Sequence, residues 1–391
     1  MGARTIHPFP ARMAPDIAID HLAPTTDDTK LVVLDPMCGS GTVLTAAAER
    51  GHMARGFDVD PLAVLMSSVA TQAVDTDQVI AEAERACTHA QASRLDKPRW
   101  DDPETRKFAE YWFAPTQLSQ LNRLSCEIDE IEDDSIRQTL QVALSRIIVT
   151  KAPKASLAAD TSHSRPHRVA TESNYDVYRG FAGSVVTLKK LLDQRSLVGQ
   201  VEVRRGDARV LDLPDSSVDL IITSPPYLNA IDYLRGHKMS LIWFGHTIPE
   251  LRSIRSNSIG ADRALDSEAL DQVESMVHYI KETAAEPDRL PLATITRYAH
   301  DLTRFSRELS RVCKSNAEVV TVVGNSTSRG NYIQNDMLVR FAYESSGFRI
   351  VERCERALPE NRRYLPVRTT NKTSSMAKRM RTEVVLTVEK K

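Results

Sequence analysis

Two short stretches carry residue types that folding alone does not explain. The first, Ser224-Pro225-Pro226-Tyr227, follows the apolar run Leu220-Ile221-Ile222-Thr223. A proline pair has fixed backbone torsions and donates no N–H, so it presents rigid carbonyl oxygens as acceptors. Ser224 adds a hydroxyl beside them, and Tyr227 supplies a flat aromatic face. Acceptors plus a stacking plate suit an exocyclic amino group on a planar base. The second stretch, Asp35-Pro36-Met37-Cys38-Gly39-Ser40-Gly41-Thr42, is a glycine-bearing turn between an apolar run and a run of helix formers. Glycines let a backbone approach a ligand closely, and a helix start offers unpaired N–H groups there. No Gly-Lys-Ser/Thr follows, as a phosphate loop would need, and the third glycine of Gly-x-Gly-x-x-Gly is missing. Asp58 closes the next expected strand, where a carboxylate can accept both hydroxyls of a ribose, as in nucleotide-binding sheets generally.

Positioning such residues requires strands that end at them. Leu31 to Asp35 reads as a buried parallel strand, Thr42 to Arg50 as a helix stopped by Gly51, Met53 to Asp58 as a second strand and Pro61 to Ala73 as a second helix. Strand, glycine turn, helix, strand is the unit of a doubly wound sheet. The alternation then stops. Gln78 to Leu95, Asp102 to Glu127, Asp134 to Val149 and Asp176 to Gln194 have helical spacing, and Pro153 to Asn174 is polar, basic and loop-like. The sheet resumes at Val201 to Arg205 and Val218 to Thr223, and Leu228 to Pro291 reads as irregular. Late strands are expected at Ala317 to Val323, Phe348 to Arg353 and Glu383 to Val388, with helices at Tyr298 to Val312 and Ile333 to Glu344. The resulting plan is an α/β domain made of 1–74 and 195–391, a helical insertion at 75–194, and a second insertion at 228–295.

Composition sets the outer limits. With 391 residues, 41% hydrophobic and 26% charged, the chain has the makeup of an ordinary globular protein. No apolar run approaches a membrane span and no secretory leader is visible, so a cytoplasmic location is expected. Five scattered cysteines without a C-x-x-C pair argue against a disulfide framework or a zinc site, and no metal is expected. His163 and His167, with Arg165 between them, read as part of a basic loop. The net charge of −1 lacks the footprint of a dedicated nucleic-acid binder. Its distribution is uneven, however: Asp75 to Asp134 holds 15 acidic and 7 basic residues, whereas Gly347 to Lys391 holds 12 basic and 5 acidic. A polarised surface is therefore expected, with the basic stretches beside Ser224 to Tyr227.

These motifs resemble the S-adenosylmethionine-dependent amino methyltransferases of DNA, and within them the N4-cytosine group, whose catalytic tetrapeptide is usually Ser-Pro-Pro-Tyr. The loop at Asp35 differs from the family pattern Asp-Pro-Phe-Cys-Gly-Ser-Gly-Thr only at Met37. The segment His7-Pro8-Phe9-Pro10 resembles the motif that precedes that loop and folds over the methionine end of the cofactor. The resemblance implies a Rossmann-like class I fold, with a mostly parallel seven-stranded sheet and S-adenosyl-L-methionine as cofactor. Asp35, Pro36, Cys38, Gly39, Ser40, Gly41 and Thr42 would hold its methionine part together with His7, Pro8 and Phe9, Asp58 its ribose, and Asp207 its adenine amino group. Ser224, Pro225, Pro226 and Tyr227 would be catalytic. The implied reaction is direct methyl transfer to cytosine N4 in double-stranded DNA, with the target nucleotide flipped out. C5 methylation would need a cysteine nucleophile, and none lies near the tetrapeptide.

The sheet is expected to continue almost to the end of the sequence and to leave no room for a separate C-terminal recognition domain, a departure from the family, so target reading is expected in the insertions. Candidates are Lys154, Arg165 and Arg168 in one, and Asp232, Tyr233, Arg235, His237, Lys238, Arg252 and Arg255 in the other. The resemblance also implies a monomer or dimer, with or without a cognate restriction endonuclease. Adenine N6 in DNA and a guanine amine in RNA are alternative acceptors. An inactive DNA-binding protein is the alternative of another class.

Overall fold

The apolar run ending in Asp35 is the centre of the sheet. In the computed structural model, which describes residues 6–8, 13–25, 30–94, 97–160, 166–228, 233–260, 271–357 and 382–391, a short helix α1 (Pro15–Asp20) precedes β1 (Val32–Asp35). There follow α2 (Thr42–Glu49), β2 (Met53–Asp58) and α3 (Pro61–Thr71). The helices α4 (Thr76–Ala92), α5 (Pro103–Trp112), α6 (Pro115–Asp129) and α7 (Asp134–Ser145) come next, then the two-residue strands β3 (Ala158–Ala159) and β4 (His167–Arg168), and α8 (Val177–Leu192). The sheet resumes with β5 (Val201–Arg205) and β6 (Val218–Thr223). After these lie α9 (Leu234–Leu241), α10 (Ile248–Asn257), α11 (Asp271–Thr283) and α12 (Leu292–Val312). The chain ends with β7 (Cys313–Val323), the hairpin β8 (Ser326–Ser328) and β9 (Asn331–Ile333), α13 (Asn335–Ser345), β10 (Phe348–Ala357) and β11 (Thr382–Lys390).

Among the described residues, seven strands form one sheet in the order β10-β11-β7-β6-β1-β2-β5. All pairings are parallel except those of β11, which runs antiparallel to both β7 and β10. This is the Rossmann-like α/β architecture, a mostly parallel seven-stranded sheet with helices packed on its faces. Side chains alternate along the strands with period two. Val33, Leu220, Ile222, Val320 and Val322 pack under α1 and α2. Leu34, Ile221, Val319, Val323 and Leu386 pack under α11 to α13. A third core fills α3 to α8 and takes in Trp243 from just beyond α9. Trp243 is fully buried, edge-on to Trp100 (4.9 Å) and Phe113 (5.1 Å), and Trp100 donates its indole N–H to the Ile242 carbonyl at 2.7 Å. The segment that follows the tetrapeptide is thereby anchored in the helical layer.

Several sequence expectations need correction. The stretch 228–291 holds three α-helices among its described residues, because the apolar positions of α9 to α11 recur at helical spacing between polar residues. The segment 102–127 is two helices, since Pro115 cannot continue α5 and opens α6. Pro153 to Asn174 contains the small β3–β4 pair, and the helix expected from Tyr298 begins at Leu292. Charge also behaves differently from the simple run count. Asp75, Asp102 and Asp133 of the acidic stretch cap α4, α5 and α7 by accepting first-turn N–H groups. On the basic C-terminal stretch, Arg349 pairs with Glu389, Arg353 with Asp336, and Arg356 with Asp16 and Glu383, on edge strand β10, three places from β6. Residues 358–381, which carry the rest of that stretch, lie outside the described residues.

Candidate functional site

Because β1 and β6 are paired in register (Val33 to Leu220, Leu34 to Ile221), their carboxyl ends bring the two motifs side by side. The Thr223 hydroxyl donates to Asp35 Oδ1 at 3.0 Å and the Met37 N–H to the same oxygen at 3.2 Å. Asp35 is buried, and that desolvation lifts its carboxyl to about 7. The loop after it is compressed. Gly41 takes φ +79° and a side chain there would stand 3.0 Å from the Ser67 backbone, while a Cβ on Gly56 of β2 would reach 2.4 Å from Leu44. Pro36 and Cys38 are buried, and Gly39, Ser40 and Thr42 are partly exposed. The Cys38 thiol touches Ser67 Oγ at 3.4 Å, and burial pushes its pKa well up, so it is inert as a nucleophile.

Asp58, at the end of β2, accepts the Gly39 N–H on one carboxylate oxygen and the Asp60 N–H on the other, both at 2.9 Å. It is only half-buried, and each oxygen keeps a lone pair for a hydroxyl. Enclosure, with the Asp60 charge second, raises its pKa to about 6. Helix α2 starts without a side-chain cap, so its first N–H groups remain available to an anion. Two carboxylates at neighbouring strand ends and an uncapped helix start fit an amino-acid nucleoside: hydroxyls and an ammonium toward the acids, a carboxylate toward the N–H groups.

The tetrapeptide closes the other side. Ser224 is exposed and its hydroxyl donates to the Val322 carbonyl of β7 at 2.9 Å. With its one proton committed there, the oxygen keeps its lone pairs for an incoming donor. Pro225 is buried, and the Pro226 carbonyl accepts from Tyr298 Oη at 3.0 Å. Burial raises the Tyr298 phenol far above its usual value, which keeps it protonated and donating. Tyr227 is half-buried against the α11–α13 core.

Other expected site residues are engaged by neighbours. Asp207 is gripped by the Arg209 guanidinium (Nη2 to Oδ2 2.6 Å, Nε to Oδ1 3.0 Å), which holds its carboxyl below the usual range; Arg209 also binds Asp301 and the Asn257 carbonyl. His7 is buried, with Nε2 2.8 Å from Ser145 Oγ on α7, and Pro8 is half-buried beside it. His237 lies on α9, inside the fold. It is buried, with Nδ1 2.5 Å from the Asp60 carboxylate that caps α3, and Tyr233 stacks over it. Lys238 sits over the Phe108 ring at 4.9 Å, Arg252 pairs with Glu104, and Arg168 lies 4.7 Å over Tyr111. Arg235, Arg255 and Lys154 are exposed. Phe9, Arg165 and Asp232 lie outside the described residues. Sequence reading missed Thr223, Asp60, Tyr298 and Arg209. Only Asp60 carried a local signal, an aspartate before Pro61 at a helix start.

No protein-family profile matches the chain. Type II methyltransferases do. The chain is 20% identical to Type II methyltransferase M.MvaI of Kocuria varians over 411 aligned positions, spanning 97% of this chain and 89% of that one. It is 24% identical to Type II methyltransferase M.AvaI of a Nostoc species over 370 positions, 81% of this chain and 73% of the relative. A solved S-adenosylmethionine-dependent methyltransferase of Methanosarcina mazei aligns over 97% of this chain and 99% of its own, at 10% identity and a TM-score of 0.34. Among the described residues no helix is long and apolar enough to cross a membrane.

Proposed function

We propose that the protein is a DNA methyltransferase that uses S-adenosyl-L-methionine and modifies the exocyclic N4 amine of cytosine in double-stranded DNA, within a restriction-modification system. The observation that carries this reading is the Ser224 hydroxyl, committed as a donor to Val322 and so held as an acceptor beside the Asp35 loop. The likeness to Type II methyltransferases supports DNA as substrate, and the Ser-Pro-Pro-Tyr tetrapeptide supports the N4 assignment.

The cofactor supplies an electrophilic methyl group on a sulfonium sulfur. Asp58 would hold its ribose hydroxyls, and Asp35 with the 39–42 turn its methionine end. Asp207, already oriented by Arg209, would accept from the adenine amine. Ser224 Oγ and the Pro225 carbonyl would accept hydrogen bonds from the target amine, which localises the nitrogen lone pair away from the ring. This is positioning and electrostatics more than proton transfer. Tyr298 fixes the Pro226 carbonyl and with it the pitch of the tetrapeptide. Tyr227 gives the flipped base a stacking surface.

The test is incubation with methyl-labelled cofactor and duplex DNA, followed by nucleoside analysis. N4-methylcytosine is expected; N6-methyladenine would move the acceptor, and label confined to RNA would overturn DNA as substrate.

A further inference from the structure

The β8–β9 hairpin leaves the sheet at the rim of the site and has no role in the chemistry above. Its two feet are tied to the backbone next to the tetrapeptide. Asn335, two residues after β9, accepts the Leu228 N–H at 3.3 Å and donates to the Gly324 carbonyl and Ser326 Oγ, both at 3.0 Å. Three residue pairs, Ser326 to Ile333, Thr327 to Tyr332 and Ser328 to Asn331, carry the ribbon outward by about 10 Å. The turn at its tip is Arg329-Gly330, both at positive φ (+46° and +92°). Two-residue hairpins favour asparagine, aspartate or glycine at the first of these positions, and an arginine there is held against its backbone preference. Arg329 is exposed and has no acidic partner among the described residues. Glu286, whose carboxylate lies beside Gly330, is paired with Arg289. Asn331 fastens the tip to the Glu286 backbone by two bonds (2.7 and 3.0 Å), so the ribbon is braced. Tyr332 is 48% exposed. From Gly324 to Gln334 the chain holds one arginine, one tyrosine and many Asn, Ser, Thr and Gln side chains, with no acid.

We propose that this hairpin enters the major groove of duplex DNA beside the nucleotide being modified, with Arg329 contacting phosphate or a base edge and Tyr332 packing on the exposed stack. A two-stranded ribbon fits the major groove, which is roughly 12 Å wide and 8.5 Å deep, and its side-chain set is the one that bonds phosphates and base edges. The exocyclic amine of cytosine also faces that groove. The inference rests on DNA being the substrate.

The test measures duplex binding, cofactor binding and methylation for the parent, Arg329→Gly and Tyr332→Ala. Arg329→Gly relaxes the strained turn, so it folds at least as stably as the parent by thermal melting. Each variant is expected to bind duplex DNA roughly tenfold more weakly and to keep parental cofactor affinity. For Arg329→Gly, a salt slope reduced by about one marks a phosphate contact, and an unchanged slope with relaxed sequence preference marks a base contact; both support the proposal. A parent that methylates DNA, with variants that bind and methylate duplex equally well, overturns the hairpin assignment alone. A parent that neither binds nor methylates DNA overturns the function on which it rests.

Discussion

The carboxyl ends of β1 and β2 and those of β6 and β7 border one site but obtain their polarity in opposite ways. The first pair ends in buried or half-buried carboxylates, Asp35 and Asp58, whose pKa values are raised by enclosure to about 7 and about 6. The second pair ends in neutral groups: the Ser224 hydroxyl, whose proton goes to the Val322 carbonyl, and the Pro226 carbonyl, which accepts from Tyr298. Acids suit a positively charged ligand with hydroxyls. Neutral acceptors suit an aromatic amine that must keep its lone pair for attack, because they orient its hydrogens without abstracting them. On the proposed function the two halves divide binding from chemistry, and each half should fail in its own way.

The sharpest break falls on the neutral side. Ser224→Ala should lower kcat by about 100-fold, in the range seen when one preorganised polar group is removed from a reacting centre, with cofactor affinity unchanged. Equilibrium binding and single-turnover rates separate the two, and a loss of cofactor affinity as large as the loss of rate would erase the division. On the acidic side, Asp58→Asn should weaken cofactor binding about tenfold, the order of one hydrogen bond to a charged group, while turnover at saturating cofactor stays near parental. Calorimetric titration reads the first quantity and saturation kinetics the second. Smaller again is Tyr298→Phe. It frees the Pro226 carbonyl and costs about 1 kcal/mol in the transition state, or roughly fivefold in kcat, with little change in either binding constant.

The same contrast explains what the sequence shows and hides. Asp35, Gly41 and Asp58 sit in contiguous strand-turn-helix segments, and β1 and β6 announce themselves as apolar runs that end in polar residues. The motifs are legible there because one local unit builds each of them. Tyr298 and Arg209 reach the site from α12 and from the turn after β5, 72 and 48 residues from the Pro226 and Asn257 carbonyls they bond, and no local pattern marks such pairings. Strand order is equally non-local: β11, last in the chain, inserts between β7 and β10. The helices of 234–283 were hidden for another reason. Their apolar positions keep helical spacing but are few among the arginines and serines around them, and the segment is held by packing, as with Trp243 just beyond α9 against Trp100 and Phe113, more than by intrinsic propensity.

The gentlest prediction sets the two halves against each other by pH. Asp35 titrates near 7 in the folded protein, above the roughly 3.9 of an unfolded aspartate, so the folded state binds the proton more tightly. Its contribution to stability is therefore fully present below about pH 4 and is lost as pH rises to 7. Relative to an Asp35→Asn variant, the ligand-free parent should melt progressively lower across that window and hold a constant difference above it. Cofactor binding has the opposite sign. A cationic ligand favours the carboxylate, so the thermal shift it produces should grow from pH 6 to pH 8 in the parent and stay flatter in Asp35→Asn, where Asp58, titrating near 6, contributes only at the acidic end. The neutral acceptors around Ser224 add nothing to either trend, so Ser224→Ala must reproduce both parental curves; a Ser224→Ala curve displaced along the pH axis would mean that the two strand ends share a proton after all.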